Sequence, residues 1–212
     1  MTVWEFFVKG GPLMWPLLAC SIIALAIILE RLFSLRKKKV IPEDLIEEVE
    51  RLTRMGRLNE IEQLLDSRSS PLCPIIMVAI KNAGLRKEII KEHMEEAGAT
   101  EAYSIERSIN LLGIIAAISP LLGFLGTVSG MLTSFQAMNT SGAYSNRLLA
   151  AGISEALITT IAGLAISIPV YVCYRLFMAR SDFLVLEMEK ISARILEYLK
   201  GDSYEIQKEK EE

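Results

Sequence analysis

Two apolar stretches decide the fold of this chain: LLGIIAAISPLLGFLGTVSGMLTSF at residues 111–135 and AAGISEALITTIAGLAISIPVYVCY at residues 150–174. Each stretch is long enough to cross a bilayer as a helix, which takes about 20 apolar residues. A polar segment, MNTSGAYSNR, lies between them. The sequence therefore predicts a transmembrane helical hairpin.

Small residues recur along both stretches in steps of three and four, a spacing that places them on one face of each helix. Such faces let membrane helices approach closely, and Gly126 with Gly130 forms a GxxxG pair. We expect the small faces to serve helix packing. The residues concerned are Gly123, Gly126, Gly130, Ala156, Gly163 and Ser167.

Two threonines, Thr127 and Thr160, lie on the same faces. Counted from the outer end of each stretch, Thr127 is ~12 Å deep and Thr160 is ~15 Å deep, at ~1.5 Å per residue. The two hydroxyls would therefore lie at one level and could form a polar ring in a symmetric oligomer. The alternative is that each hydroxyl bonds to a carbonyl one turn earlier on its own helix.

Glu155 is the only acid in the two stretches. Burying a carboxylate in hydrocarbon is costly, so an acid inside a membrane span indicates a functional site. Glu155 is also only about one helical turn from the outer surface. A role in transport and a position at the membrane interface therefore both stay open.

A third apolar stretch covers residues 13–33, and basic residues fix its direction. A basic run from Arg36 to Lys39 follows it, whereas Lys9 alone precedes it, so its C-terminal end should be cytoplasmic. The predicted organisation is a periplasmic N-terminal lead (1–11), transmembrane helix 1 (12–35), a cytoplasmic helical insert (36–107), transmembrane helix 2 (108–137), a periplasmic loop (138–149), transmembrane helix 3 (150–179) and a cytoplasmic helix extension with a tail (180–212).

Three short helices are expected in the insert: one from Pro42 to Gly56, one around residues 58–65 and one at 75–83. Beyond Leu85 a single helix should run into the membrane, and the last span should continue to Lys200 with an apolar stripe. Helices of this length are not stable alone in water, so we expect an all-α membrane protein whose last two spans extend into a cytoplasmic helical bundle or oligomer. The charged tail after residue 200 is expected to be disordered.

Composition excludes several classes of function. The chain has 212 residues, 51% of them hydrophobic, and a net charge of −3, which does not favour a nucleic-acid partner. The three cysteines show neither metal spacing nor a disulfide framework, and His93 is the only histidine. No serine in the spans has a histidine or lysine in the membrane to activate it, so we expect no enzymatic activity, no metal and no cofactor.

The two stretches contain no Asp, Lys, Arg or His. Because threonine does not ionise usefully, a proton path through this chain would need a titrating group from another chain. The sequence alone thus indicates a membrane protein with a polar seam. A passive scaffold or signalling protein, in which the small faces serve only packing, is the alternative to a channel.

The motifs PLLGFLGTVSGM and GISEALITTIAGLAISIP resemble the paired signature of the MotA/TolQ/ExbB proton-channel family, and the resemblance extends to the post-helix residues Glu30–Leu32 and the large insert. It is nearer to ExbB and TolQ than to MotA, which has four spans. The resemblance implies a homopentamer in the bacterial inner membrane around a dimer of a single-span ExbD/TolR-type partner, which supplies a membrane aspartate. A TonB/TolA-type protein and membrane lipids are further partners that it implies.

On this resemblance, Thr127 and Thr160 match the family's two pore threonines, and Glu155 matches its glutamate position. Thr159 is not part of that pattern. The resemblance implies that the complex uses the proton-motive force to energise outer-membrane transport or envelope maintenance. It leaves open whether the subtype is ExbB or TolQ.

Overall fold

The computed structural model describes the backbone of residues 7–140 and 146–211 and the side chains of residues 7–136 and 150–201. Residues 1–6 of the predicted lead and 141–145 of the predicted loop lie outside the described residues. The helices, in chain order, are α1 (Met14–Ser34), α2 (Lys37–Val40), α3 (Glu43–Arg54), α4 (Leu58–Asp66), α5 (Leu72–Lys81), α6 (Lys87–Thr140) and α7 (Asn146–Glu211). The described part of the chain has no strand.

Within the described residues, three helices are long and apolar enough to cross a membrane, as the sequence predicts. The segments concerned are Met14–Ser34, Lys87–Gln136 and Ala150–Gly201. The chain divides into two compact units. The hairpin unit comprises Met1–Glu30 and Ser108–Leu176, and the insert unit comprises Arg31–Arg107 and Phe177–Glu212.

The insert unit has an apolar core of the kind found in water-soluble helical proteins. The predicted stripe of α3 is buried, with Val49 fully inaccessible, and α7 contributes Leu184 and Ile195 to the core. Gly56 ends α3 with a positive φ of 69°, and the following amide of Arg57 donates to Leu52 O at 3.1 Å. This is a Schellman termination, which favours glycine because the left-handed conformation disfavours a Cβ.

Two expectations about helix ends are wrong. The third short helix begins at Leu72 rather than residue 75, because Pro74 falls in the first turn, where a missing N–H costs no helical hydrogen bond. The tail expected to be disordered is helical as far as Glu211. A charged composition removes a core, but an existing helix can still propagate, since each further residue adds one hydrogen bond.

Ser70 joins two parts of the insert unit that are distant in sequence. Its hydroxyl donates to Val40 O at 2.6 Å and accepts from the amide of Leu72 at 3.2 Å, and the residue is 7% exposed. Ser67, by contrast, bonds only to Leu64 O on its own helix and is exposed.

We predict that Ser70→Ala locally destabilises the insert unit by about 1–3 kcal/mol, because it leaves a buried carbonyl without its donor. Amide hydrogen exchange at residues 40–41 and 72–73 should then be at least about tenfold faster than in the wild type. Ser67→Ala is the matched control and should leave these rates unchanged. Equal exchange in Ser70→Ala and wild type would contradict the assignment.

Candidate functional site

The site is built on a tight antiparallel contact between α6 and α7 inside the hairpin unit. A Cβ placed on Gly126 would lie 2.5 Å from Cγ2 of Thr159, and one on Gly130 would lie 3.1 Å from Cβ of Ala156. Further along, a Cβ on Gly163 would lie 2.5 Å from the backbone oxygen of Ser119. The small residues singled out in the sequence therefore lie at the contact between these two helices.

Hydroxyl groups cross the same contact and bind backbone oxygens of the facing helix. Ser167 Oγ donates to Ala116 O at 2.7 Å, and Thr160 Oγ1 donates to Gly123 O at 2.9 Å. Such bonds are possible because the glycine faces bring the two backbones close together. Where no water competes, they add directly to helix association.

Thr127 and Thr160 lie at one level of the hairpin. Gly126 and Thr159 touch across the contact, and each is followed in its own helix by one of the two threonines. The hydroxyls differ in their partners. Thr127 Oγ1 donates to Phe124 O on its own helix at 2.6 Å, which is the alternative expected from the sequence, whereas the bond of Thr160 crosses to α6. Both threonines are half-buried.

Glu155 lies on α7 where the segment before α1 meets it. A Cβ placed on Gly11 would collide with the carboxylate of Glu155, so the glycine backbone rests directly against that group. Glu155 is half-buried, and no charged side chain of Asp, Lys, Arg or His accompanies it within residues 150–174. The structure thus separates two polar levels, with Glu155 about one helical turn along α7 from Thr160.

Thr159 is the residue that the motif-based interpretation passed over. It is 1% exposed, and its hydroxyl donates to Gly10 O at 2.8 Å and also lies 2.9 Å from Glu155 O. Its methyl group fills the space above Gly126. The signal was present in the sequence, because residues 152, 156, 159 and 163 form a continuous small stripe at helical spacing.

A cleft of about 630 Å³ lies in the insert unit. Burial raises the pKa of the Glu101 carboxyl and of the Cys73 thiol, both of which line the cleft. Two other polar groups in the lining have partners, since Arg31 Nη1 donates to Ile105 O at 3.0 Å and Arg68 pairs with Asp44. None of the residues predicted for a pore lines this cleft.

We predict opposite effects for two glycine-to-alanine changes. Gly163→Ala should destabilise the protein by about 1–3 kcal/mol, because the added methyl group meets a backbone oxygen that cannot move alone. Gly98→Ala should stabilise it by about 0.5–1 kcal/mol, because the nearest atom is 3.8 Å away and alanine restricts the unfolded chain. Thermal unfolding of the purified protein in mild detergent measures both effects. Equal midpoints for the two variants would argue against a sterically closed contact.

Comparisons with known proteins give one consistent result. The model of the MotA/TolQ/ExbB proton channel family matches residues 67–190. An ExbB-like biopolymer transport protein of Synechocystis sp. is 31% identical over 161 residues, covering 75% of this chain and 77% of that protein. The biopolymer transport protein exbB1 of Vibrio cholerae is 26% identical over 196 residues, covering 90% and 86% respectively.

A solved structure is also similar. The structure of C. jejuni MotAB matches with a TM-score of 0.56 at 19% identity and covers 96% of this chain and 78% of that chain. At this identity the match shows a shared fold only.

Proposed function

The chain belongs to the MotA/TolQ/ExbB proton channel family, and we propose that it is the channel and motor subunit of an inner-membrane complex driven by the proton-motive force. Proteins of this family are channel and transport-energising proteins, and the chain is not an enzyme. In the proposed complex a homopentamer surrounds a dimer of a single-span ExbD/TolR-type partner. The work passes through the partner to outer-membrane transport or envelope maintenance, with a TonB/TolA-type protein as a further partner.

The distribution of charge supports a partner that supplies the titrating group. At the level of Thr127 and Thr160 neither span carries a charged side chain. Proton transfer needs a group that binds and releases protons near working pH, and a threonine hydroxyl does not do so. An aspartate on the partner helix would provide that group at the level of the threonines.

The acceptor capacity that the two half-buried threonine oxygens keep is the observation that supports the pore assignment. Each hydroxyl donates its single proton to a backbone carbonyl. Thr127 donates to Phe124 O and Thr160 donates to Gly123 O. A hydroxyl oxygen keeps acceptor capacity after it has donated. In the pentamer these oxygens would form a ring of acceptors that binds water or the protonated aspartate of the partner. Glu155 would tune the outer entrance of the same path.

Orientation in the membrane follows from the basic residues. The N-terminus is placed in the periplasm and the C-terminus in the cytoplasm, because Lys and Arg cluster at the predicted inner ends of the spans. In this orientation Glu155 is near the periplasmic surface, where protons enter under the physiological gradient. The alternative function is a passive scaffold or signalling protein, in which the small-residue faces serve only helix packing.

We predict that Thr160→Val abolishes partner-dependent proton flux and leaves assembly intact. Valine keeps the shape of threonine but removes the oxygen, so the ring loses an acceptor in every subunit. Thr160→Ser, which keeps the hydroxyl and with it the donor to Gly123 O, should retain most of the wild-type flux. Flux is measured in proteoliposomes that contain the partner.

The control for this experiment is the oligomeric state of each variant. Normal flux in Thr160→Val would remove the Thr160 oxygen from the proton path. Loss of the oligomer in Thr160→Val would show that the hydroxyl serves packing through its bond to Gly123 O.

Native mass spectrometry provides a separate test of the complex. The chain purified in mild detergent should appear as a pentamer and gain a dimer of the single-span partner when the two are expressed together. A monomer or dimer that does not bind the partner would contradict the proposed pore.

A further inference from the structure

A short segment precedes α1, with residues 7–9 helical, and is held against the first turn of that helix. The amide of Gly10 donates to Phe7 O at 3.3 Å, and the amide of Met14 donates to Gly11 O at 3.2 Å. The ring of Phe7 packs edge-on against Trp15, with centroids 5.1 Å apart. We call residues 7–11 the clasp, since the same segment also binds α7.

One hydrogen bond ties the clasp to α7. Thr159 Oγ1 donates to Gly10 O at 2.8 Å, and both residues are buried. A buried carbonyl left without a donor is costly, so its partner selects where the segment lies. Thr159 thus fixes the position of the clasp, although the two residues are 149 positions apart.

Two glycines make this position possible. Gly11 has a φ of +72°, and a Cβ there would collide with the Glu155 carboxylate. A Cβ on Gly10 would lie 2.5 Å from Cγ of Met14 and 3.1 Å from Ile158. Larger residues at either position would lift the clasp from α7.

We propose that Gly11 and Thr159 are positioning residues for Glu155, and that the clasp covers the carboxylate and limits its contact with periplasmic water. This inference rests on the proposed role of Glu155 at the outer entrance. It adds a contact through which the segment before α1 acts on α7. Movement of the clasp would then open or close the outer end of the proton path within a single subunit.

The two functions of Thr159 can be separated by substitution. Thr159→Val keeps the methyl group that packs on Gly126 but removes the donor to Gly10 O. Thr159→Ser keeps the donor and removes the methyl group. If the clasp depends on the hydrogen bond, the valine variant releases it and the serine variant retains it.

The test measures how fast a water-soluble carbodiimide modifies Glu155 in the full-length protein, reconstituted in vesicles and followed by peptide mass spectrometry. We expect slow modification in the wild type. Gly11→Ala and Thr159→Val should each raise the rate by about tenfold or more, the factor that corresponds to the loss of one buried hydrogen bond. Thr159→Ser should remain near the wild-type rate.

The chain offers a matched control for the glycine change. Gly56 has nearly the same backbone conformation, with a φ of +69°, but no atom lies within 4 Å of a Cβ placed there. Gly56→Ala therefore introduces similar backbone strain without a collision and should leave the modification rate of Glu155 unchanged. A rise in this control equal to that in Gly11→Ala would overturn the proposal, because general destabilisation would then explain both.

A second variant tests the contact directly. Glu155→Asp withdraws the carboxylate from Gly11 by one methylene group, so adding Gly11→Ala to Glu155→Asp should change the rate much less than adding it to the wild type. An unchanged rate of Glu155 modification in both Gly11→Ala and Thr159→Val overturns the proposal, whether or not proton flux changes. Faster modification of Glu155 in Gly11→Ala and Thr159→Val supports the clasp. If proton flux stays normal in these variants, Glu155 does not belong to the proton path.

Discussion

The close approach of α6 and α7 is the constraint on which the hairpin unit depends. Lipid chains are as apolar as leucine side chains, so membrane helices associate through dispersion contacts and hydrogen bonds rather than through the hydrophobic effect. Glycines at 126, 130 and 163 remove the Cβ atoms that would hold the helices apart. Only at this separation can the hydroxyls of Thr160 and Ser167 reach the backbone oxygens of α6.

Both units bury aliphatic side chains, but most of the exposed large apolar side chains belong to the hairpin unit. The insert unit buries large aliphatic side chains such as Val49, Ile76 and Ile90. The hairpin unit buries Ser119, Ser134 and Thr159, and it leaves large apolar side chains exposed, among them Leu121, Phe124 and Phe135. In lipid an exposed phenylalanine costs nothing, whereas an unpaired hydroxyl is costly, so the polar groups turn inward.

This arrangement also decides which hydroxyl oxygens can still accept a hydrogen bond from water or a partner. Every threonine hydroxyl at the two polar levels has given its proton to a carbonyl: Phe124 O, Gly123 O and Gly10 O for Thr127, Thr160 and Thr159. The oxygens of the first two keep acceptor capacity in half-buried positions, while Thr159 is enclosed. Neighbouring threonines in one motif therefore have different tasks, one suited to a pore and one suited to holding the polypeptide in place.

The three apolar spans, the helical insert, the small faces and the family could be predicted from the sequence, because apolarity and helical periodicity are local properties of the chain. The sequence also placed Thr127 and Thr160 at one level, since depth follows from a count of residues. It did not show that Thr159 binds Gly10, that Gly11 lies against Glu155 or that Ser70 binds Val40. These contacts join segments far apart in the chain. They depend on the register of one helix against another, which is a property of the tertiary structure.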